Sequence, residues 1–190
     1  MCCRTCISTT PAGLPDAWEK GQSPRLLFPE VAYLVSATHW PRAVNPHPRD
    51  RASFIPGLTE LLEASRRLGL VDGGHSPTLG PDVRFHYSDG HAPGPMLAEL
   101  VTGGSAPGIV FCADLIPGRP WVHVPVTMGY DRFPERLIEE KRAVLGDQFE
   151  RDVRLFFTHD PDCATARVAR DASGRFATFD ESPMLAGEEA

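Results

Sequence analysis

Three residues of this chain stand where side chains commonly meet a metal ion: His91, Asp114 and His159. Asp114 closes the apolar run Ile109-Val-Phe-Cys-Ala-Asp114-Leu-Ile-Pro117 as a lone carboxylate. An acid at the end of a buried strand points into a site more often than into a core. His91 sits in Ser88-Asp-Gly-His91-Ala-Pro-Gly94, after the strand-like Val83-Arg-Phe-His-Tyr87. His159 sits in Thr158-His159-Asp160-Pro161, after Val153-Arg-Leu-Phe-Phe157. Imidazole nitrogen and carboxylate oxygen are the usual non-sulfur ligands of zinc. Singly, each residue also reads as an ordinary turn residue at a strand end. Together and in this order they form a candidate metal set.

The elements that must position them follow from periodicity. Residues 1 to about 25 show no period, and Pro11, Gly13, Pro15, Gly21 and Pro24 interrupt any element, so this segment is expected to be irregular. Val31–Val35 reads as a strand. Leu58, Leu61, Leu62 and Leu68 recur at helical spacing, which predicts an amphipathic helix over Gly57–Leu68 that Gly69 ends, followed by a short strand at Leu70-Val71. Val83–Tyr87 and Met96–Val101 are strands on either side of the His91 loop. Pro134 opens a helix with Leu137, Ile138, Val144, Leu145 and Phe149 on its apolar face. Ala166–Arg170 and Arg175–Phe179 form a closing hairpin, and the acidic tail from Glu181 is expected to fray. The mixture predicts an α+β layered domain over 26–180, with an irregular segment at 1–25 and a tail at 181–190.

Composition sets the broad class. A 190-residue chain suits one domain, and 42% hydrophobic with 23% charged residues is globular. The net charge of −6 argues against nucleic acid or an anionic membrane as main partner. No apolar run is long enough to cross a bilayer, and Met-Cys-Cys-Arg-Thr-Cys-Ile lacks the apolar stretch of a signal peptide. The 5 cysteines are Cys2, Cys3, Cys6, Cys112 and Cys163, with Cys112 in an apolar run. An odd number so placed fits a reduced, cytoplasmic setting better than a disulfide framework.

Several stretches resemble the metallo-β-lactamase-fold hydrolases, in particular their lactonase-like branch. They are Leu27–Tyr33, Arg49–Phe54, Gly90-His-Ala-Pro-Gly94, Ala113-Asp-Leu-Ile-Pro117, Met128-Gly-Tyr-Asp131 and Phe156-Phe-Thr-His-Asp-Pro161, and they cover most of the chain. The resemblance implies part of an αββα sandwich with metals at one edge of its two sheets. It also implies two zinc ions sharing a hydroxide that attacks the carbonyl carbon of a small-molecule lactone, ester or thioester. In that pattern His91 joins the first metal, Asp114 bridges both as ligand and catalytic group, and His159 joins the second. Tyr130 and Asp131, after Met128-Gly129, would stand near the substrate, or be structural. Asp160 would orient the His159 ring, or cap the Pro161 turn.

The chain departs from the pattern where the family carries His-x-His-x-Asp-His. Cys6, Ser8, Thr10 and Pro11 occupy that place, and no histidine precedes His39. Each metal would keep one histidine and the shared aspartate, fewer than the three protein ligands a catalytic zinc normally has. Weak or absent zinc binding is therefore expected. Cys2, Cys3 and Cys6 are spaced to bring two thiolates to one metal, against the reading of an irregular terminus. Codon degeneracy permits a further reading. Shifted by one base, the codons of Thr5 to Thr10 can encode His-Leu-His-Phe-Asp-His, and those of Ala12 and Gly13 can encode Gly-Gly. The expectation is an N-terminally truncated or frameshifted member of the family, against a true loss of the motif. Sequencing the gene across these codons decides it: third bases incompatible with that frame refute it.

Two function classes follow. One is a zinc-dependent hydrolase of lactone, ester or thioester bonds, inactive as written. The other is a non-catalytic fragment or binding module. A fold lacking its N-terminal part would expose a sheet edge or apolar face, so self-association is expected.

Overall fold

In a computed structural model the described residues are 5–7, 14–16, 23–101 and 107–185, with the backbone alone for 5–7. Cys2, Cys3, Ser8, Thr10, Pro11 and the acidic residues past Leu185 lie outside them. The chain divides into two compact units, Met1–Gly73 and Gly74–Ala190.

In the first unit, β1 (Thr5–Ile7), β2 (Ala32–Ser36) and β3 (Leu68–Val71) form a parallel sheet in that order. Strand β1 lies inside the stretch expected to be irregular. Its ladder to β2, with Cys6 opposite Tyr33, supplies the pairing that its own sequence pattern does not announce. Tyr33 is buried and its hydroxyl donates to the Phe28 carbonyl at 2.8 Å. A short helix α1 (Trp40–Val44) follows β2, and α2 (Leu58–Ala64) packs Leu58 and Leu62 with Leu14 and Tyr33. The helix expected to reach Leu68 stops at Ala64. The Ser65 hydroxyl donates to the Leu62 carbonyl at 2.6 Å, Arg66 turns to φ 57°, and Leu68 and Gly69 belong to β3. A serine that bonds its own last turn competes with helix continuation.

The second unit is a six-stranded sheet in sequence order: β4 (Val83–Tyr87), β5 (Met96–Leu100), β6 (Ile109–Phe111), β7 (Arg154–Phe156), β8 (Thr165–Arg170) and β9 (Phe176–Ser182). Every neighbouring pair is antiparallel except β6–β7. A parallel pair needs a long crossover, and the 18-residue helix α3 (Pro134–Arg151) lies within it. This topology positions the site. Strands β4, β6 and β7 run in the same sense, so the loops after them, carrying His91, Asp114 and His159, leave the same edge of the sheet.

The core of this unit joins Leu97, Val110, Leu155 and Ala166 of the sheet to Leu137 and Leu145 of α3. The apolar face expected of α3 is only partly the buried one. Phe149 is exposed, and Lys141 and Gln148 are buried beside the leucines. Arg119–Val122 forms a single 3-10 turn, with His123 exposed after it. Pro120 in the first turn and Pro125 remove the N–H groups a strand would need. Glu181 and Ser182, placed in a fraying tail by composition, end β9, and Glu181 accepts from Arg119 at 2.8 Å. Among the described residues no helix is long and apolar enough to cross a membrane.

Lys141 is fully buried, and its ammonium donates to the carbonyls of His123, Val124 and Val126 at 3.1, 3.1 and 2.8 Å. Burial lowers its pKa to about 8. Replacing it with an apolar chain deprives three carbonyls of their donor. Lys141→Met is expected to destabilise the protein by about 2–3 kcal/mol, read as a lower urea midpoint at unchanged slope. An unchanged midpoint would mean that these carbonyls do not depend on the ammonium.

Candidate metal-facing site

The His91 loop is built against the start of α3. A Cβ on Gly90 would lie 2.4 Å from the Leu137 Cα, so only glycine fits. The Glu140 carboxylate accepts from the Ser88 hydroxyl at 2.6 Å and from the backbone N–H groups of Asp89 and Gly90 at 3.0 Å each. Gly94 takes φ 76° and donates to Asp89 Oδ1 at 2.8 Å. Arg136 pairs with both Asp89 and Glu140. The N–H groups of Arg132 and Phe133 reach back to the carbonyls of His91 and Gly90 at 3.1 and 2.8 Å.

With its backbone held, the His91 ring is oriented by Asp131. His91 Nδ1 lies 2.9 Å from Asp131 Oδ1, and the Asp131 side chain is fully buried. The second Asp131 oxygen accepts from the Met128 N–H at 2.5 Å. An ionised carboxylate only accepts, so the ring is turned with Nδ1–H toward Asp131 and Nε2 outward, the atom that a metal would take. That Nε2 faces Asp114 Oδ2 at 3.7 Å.

Asp114 follows Ala113, which takes φ 48°, a costly conformation for a residue with a side chain. The bend turns the chain out of the sheet directly after β6. On the neighbouring loop, the Thr158 hydroxyl donates to the Ala113 carbonyl at 3.3 Å, and the His159 N–H donates to the Pro117 carbonyl at 2.9 Å. These bonds set His159 Nε2 at 3.1 Å from Asp114 Oδ1. Asp114 thus offers one oxygen to each imidazole, and the three residues expected from the sequence stand together.

Tyr130 also joins the group, its ring edge-on to His91 at 5.8 Å between centroids. Its hydroxyl donates to Met128 Sδ at 2.9 Å. Burial, then the charges of Asp114 and Asp131, raise its pKa, so it stays a neutral phenol. Asp160 has the other of its two expected roles. It accepts from Arg119 Nε and Nη2 at 2.8 and 2.9 Å and caps the N–H groups of Asp162 and Cys163 at 3.1 Å each. The Arg119 guanidinium holds its carboxyl well below the usual carboxylate range. Among the described residues the partner of the His159 ring is Asp114, so Asp160 fixes the turn and does not orient the ring. Glu140 is the residue the sequence did not assign, visible only as one acid among several on a helix. Asp131, expected with Tyr130 near the substrate or in a structural role, meets the His91 ring.

The donors suit zinc in kind: two imidazole nitrogens, one shared carboxylate and a buried carboxylate behind one ring. They fall short in number, because each ion would receive one histidine and one carboxylate oxygen. Among the described residues no group of three or more His, Cys, Asp or Glu is arranged to hold a metal ion. Cys112, two residues before Asp114, is fully buried, and burial pushes its thiol up to about 12.

Solved structures place this arrangement in a known fold. A probable metal-dependent hydrolase from Staphylococcus aureus superposes over 85% of this chain and 56% of its own, with a TM-score of 0.70 and 18% identity. AidC, a dizinc quorum-quenching lactonase solved with a homoserine product, superposes over 85% of this chain and 58% of its own, with a TM-score of 0.67 and 21% identity. The hydrolase AbOPH of the β-lactamase superfamily gives a TM-score of 0.66 at 17% identity, over 81% of this chain and 56% of its own. These likenesses show that the chain has the metallo-β-lactamase-type α+β fold over the part it shares with them. The chain spans less than three-fifths of the length of these hydrolases. No protein-family profile matches the sequence, and no curated protein sequence matches it.

Proposed function

We propose that this chain carries the His91–Asp114–His159 part of a zinc hydrolase site for lactone, ester or thioester bonds, and that as this sequence stands it binds zinc weakly and hydrolyses little. The observation that carries the reading is Asp114, which turns one carboxylate oxygen toward each of two histidines whose Nε2 atoms face it. Two imidazoles around one shared carboxylate suit a bridged pair of ions better than they suit a structural turn. AidC, whose fold the chain shares, is a dizinc lactonase. Two donors per ion leave each below the three of a catalytic zinc, so no hydrolytic step is assigned to these residues alone. A small neutral lactone as substrate and a cytoplasmic setting complete the reading.

The experiment follows zinc uptake beside hydrolysis of an acyl-homoserine lactone and an aryl ester, in the chain and in Asp131→Asn. Removing the carboxylate that orients a ligating histidine is expected to weaken zinc binding about 10–100-fold, with hydrolysis near the buffer rate in both proteins. Zinc affinity untouched by Asp131→Asn would detach His91 from metal binding. Rapid lactone hydrolysis by the chain would refute the inactivity.

A further inference from the structure

We propose that a second site, in the cavity between α3 and the β8–β9 turn, binds a small molecule through its phosphate group. The cavity holds about 310 Å³ and is lined by Arg142, Arg170, Arg175, His123 and Phe176, with Gly146 in its wall. None of the residues at the metal-facing site lines it, and neither does any carboxylate. In a chain of net charge −6, a cavity lined by three guanidinium groups, of which Arg175 is paired with Asp171, is a local reversal of charge. Such a concave basic surface attracts anions.

Each arginine is prepared in a different way. Arg170 lies 4.2 Å over the Phe176 ring and 5.4 Å from the Phe149 ring, and its Nη1 donates to the Gly174 carbonyl at 2.9 Å. A guanidinium already held loses little freedom when it meets an anion. Arg175 is placed by an Asp-capped turn. Asp171 accepts the N–H groups of Ser173 and Arg175 at 2.8 and 2.9 Å, and its other oxygen takes Arg175 Nε at 3.1 Å. Arg142, exposed on α3, makes no hydrogen bond or ion pair among the described residues, so its guanidinium donors are open to a ligand. It follows Lys141, whose grip on the carbonyls of His123 and Val124 brings the His123 segment against α3.

Gly146 is the second observation. It stands inside an 18-residue helix, one turn beyond Arg142, and a Cβ there would meet nothing within 4 Å. Glycine inside a helix costs about 1 kcal/mol relative to alanine. Nothing in the packing requires it, and its effect is to keep the cavity wall open. Forked guanidinium donors match the oxygens of a phosphate, and three of them exceed what one carboxylate can use. The volume is larger than inorganic phosphate needs and sits at the small end of ligand pockets, so the ligand class is a phosphomonoester or diphosphate of a small molecule.

Calorimetric titration of the full chain with pyrophosphate and inorganic phosphate, in low salt and after zinc is stripped with EDTA, tests this. One saturable site is expected for pyrophosphate. It should weaken at least about tenfold in Arg142→Gln, with sodium acetate at equal ionic strength giving no site. Gly146→Leu should fill the cavity and abolish the site while holding or raising Tm. Equal pyrophosphate affinity in Arg142→Gln or Gly146→Leu would overturn the proposal. So would the absence of saturation up to about 10 mM, or acetate binding as well as phosphate.

Discussion

Writing the His-x-His-x-Asp-His pattern into the chain as Thr5→His, Ile7→His, Thr9→Asp and Thr10→His is expected to raise lactone or ester hydrolysis at least about 10³-fold over the unaltered protein. The argument is a count of ligands. On the function proposed above, that segment would supply the donors that His91, Asp114 and His159 lack, and a zinc ion with three protein ligands lowers the pKa of bound water to about 7. Zinc content should rise to two ions per chain in the same preparation. In the altered protein His91→Ala and Asp114→Ala should each return the rate to the unaltered level. His75→Ala should not, since among the described residues the His75 ring bonds the Val83 carbonyl at 3.0 Å. Two bound zinc ions without hydrolysis of lactone, ester or thioester would leave the metal reading intact and refute the reaction class.

The largest expected effect on stability comes from Gly90. In Gly90→Ala the new methyl group would lie 2.4 Å from the Leu137 Cα and 2.5 Å from its backbone nitrogen. Neither atom can move without unseating α3, where Leu137 is fully buried and its N–H bonds the Phe133 carbonyl at 2.9 Å. A backbone clash of this kind is expected to cost about 3 kcal/mol or more, a large share of the roughly 5–15 kcal/mol by which a domain is usually stable. Gly129→Ala is the matched control, because a Cβ there meets nothing within 4 Å. Thermal unfolding followed by circular dichroism reads both. Equal midpoints for the two variants would mean that the His91 loop does not rest on α3 as described.

The metal-facing residues were legible because three strand ends carried them. Val83–Tyr87 matches β4 residue for residue, and the strands before Asp114 and His159 differ from expectation only in length. Parallel pairing of β6 with β7 then brings the two loops together, a consequence of topology that single residues do not encode. The supports were not legible. Asp131 reaches His91 across 40 residues and Glu140 reaches Gly90 across 50, and sequence spacing carries no trace of such pairs. The burial of Lys141 was not legible either. A lysine on an amphipathic helix reads as solvated, yet three carbonyls replace its water. Strand β1 was read as loop because a three-residue strand is too short to show alternation, and its neighbour β2 decides it. The end of α2 was misplaced because Leu68 continues the helical spacing of leucines while belonging to β3.

The account stands or falls on whether His91, Asp114 and His159 act as one metal-binding group. The direct measurement is an equilibrium zinc titration of the chain with Cys2, Cys3 and Cys6 replaced by serine, so that thiolates cannot contribute, set against the same protein carrying Asp114→Ala. Binding weaker than about 1 µM is predicted for the first protein and none for the second, because Asp114 is the carboxylate both histidines share. Zinc binding that survives Asp114→Ala unchanged would contradict the account.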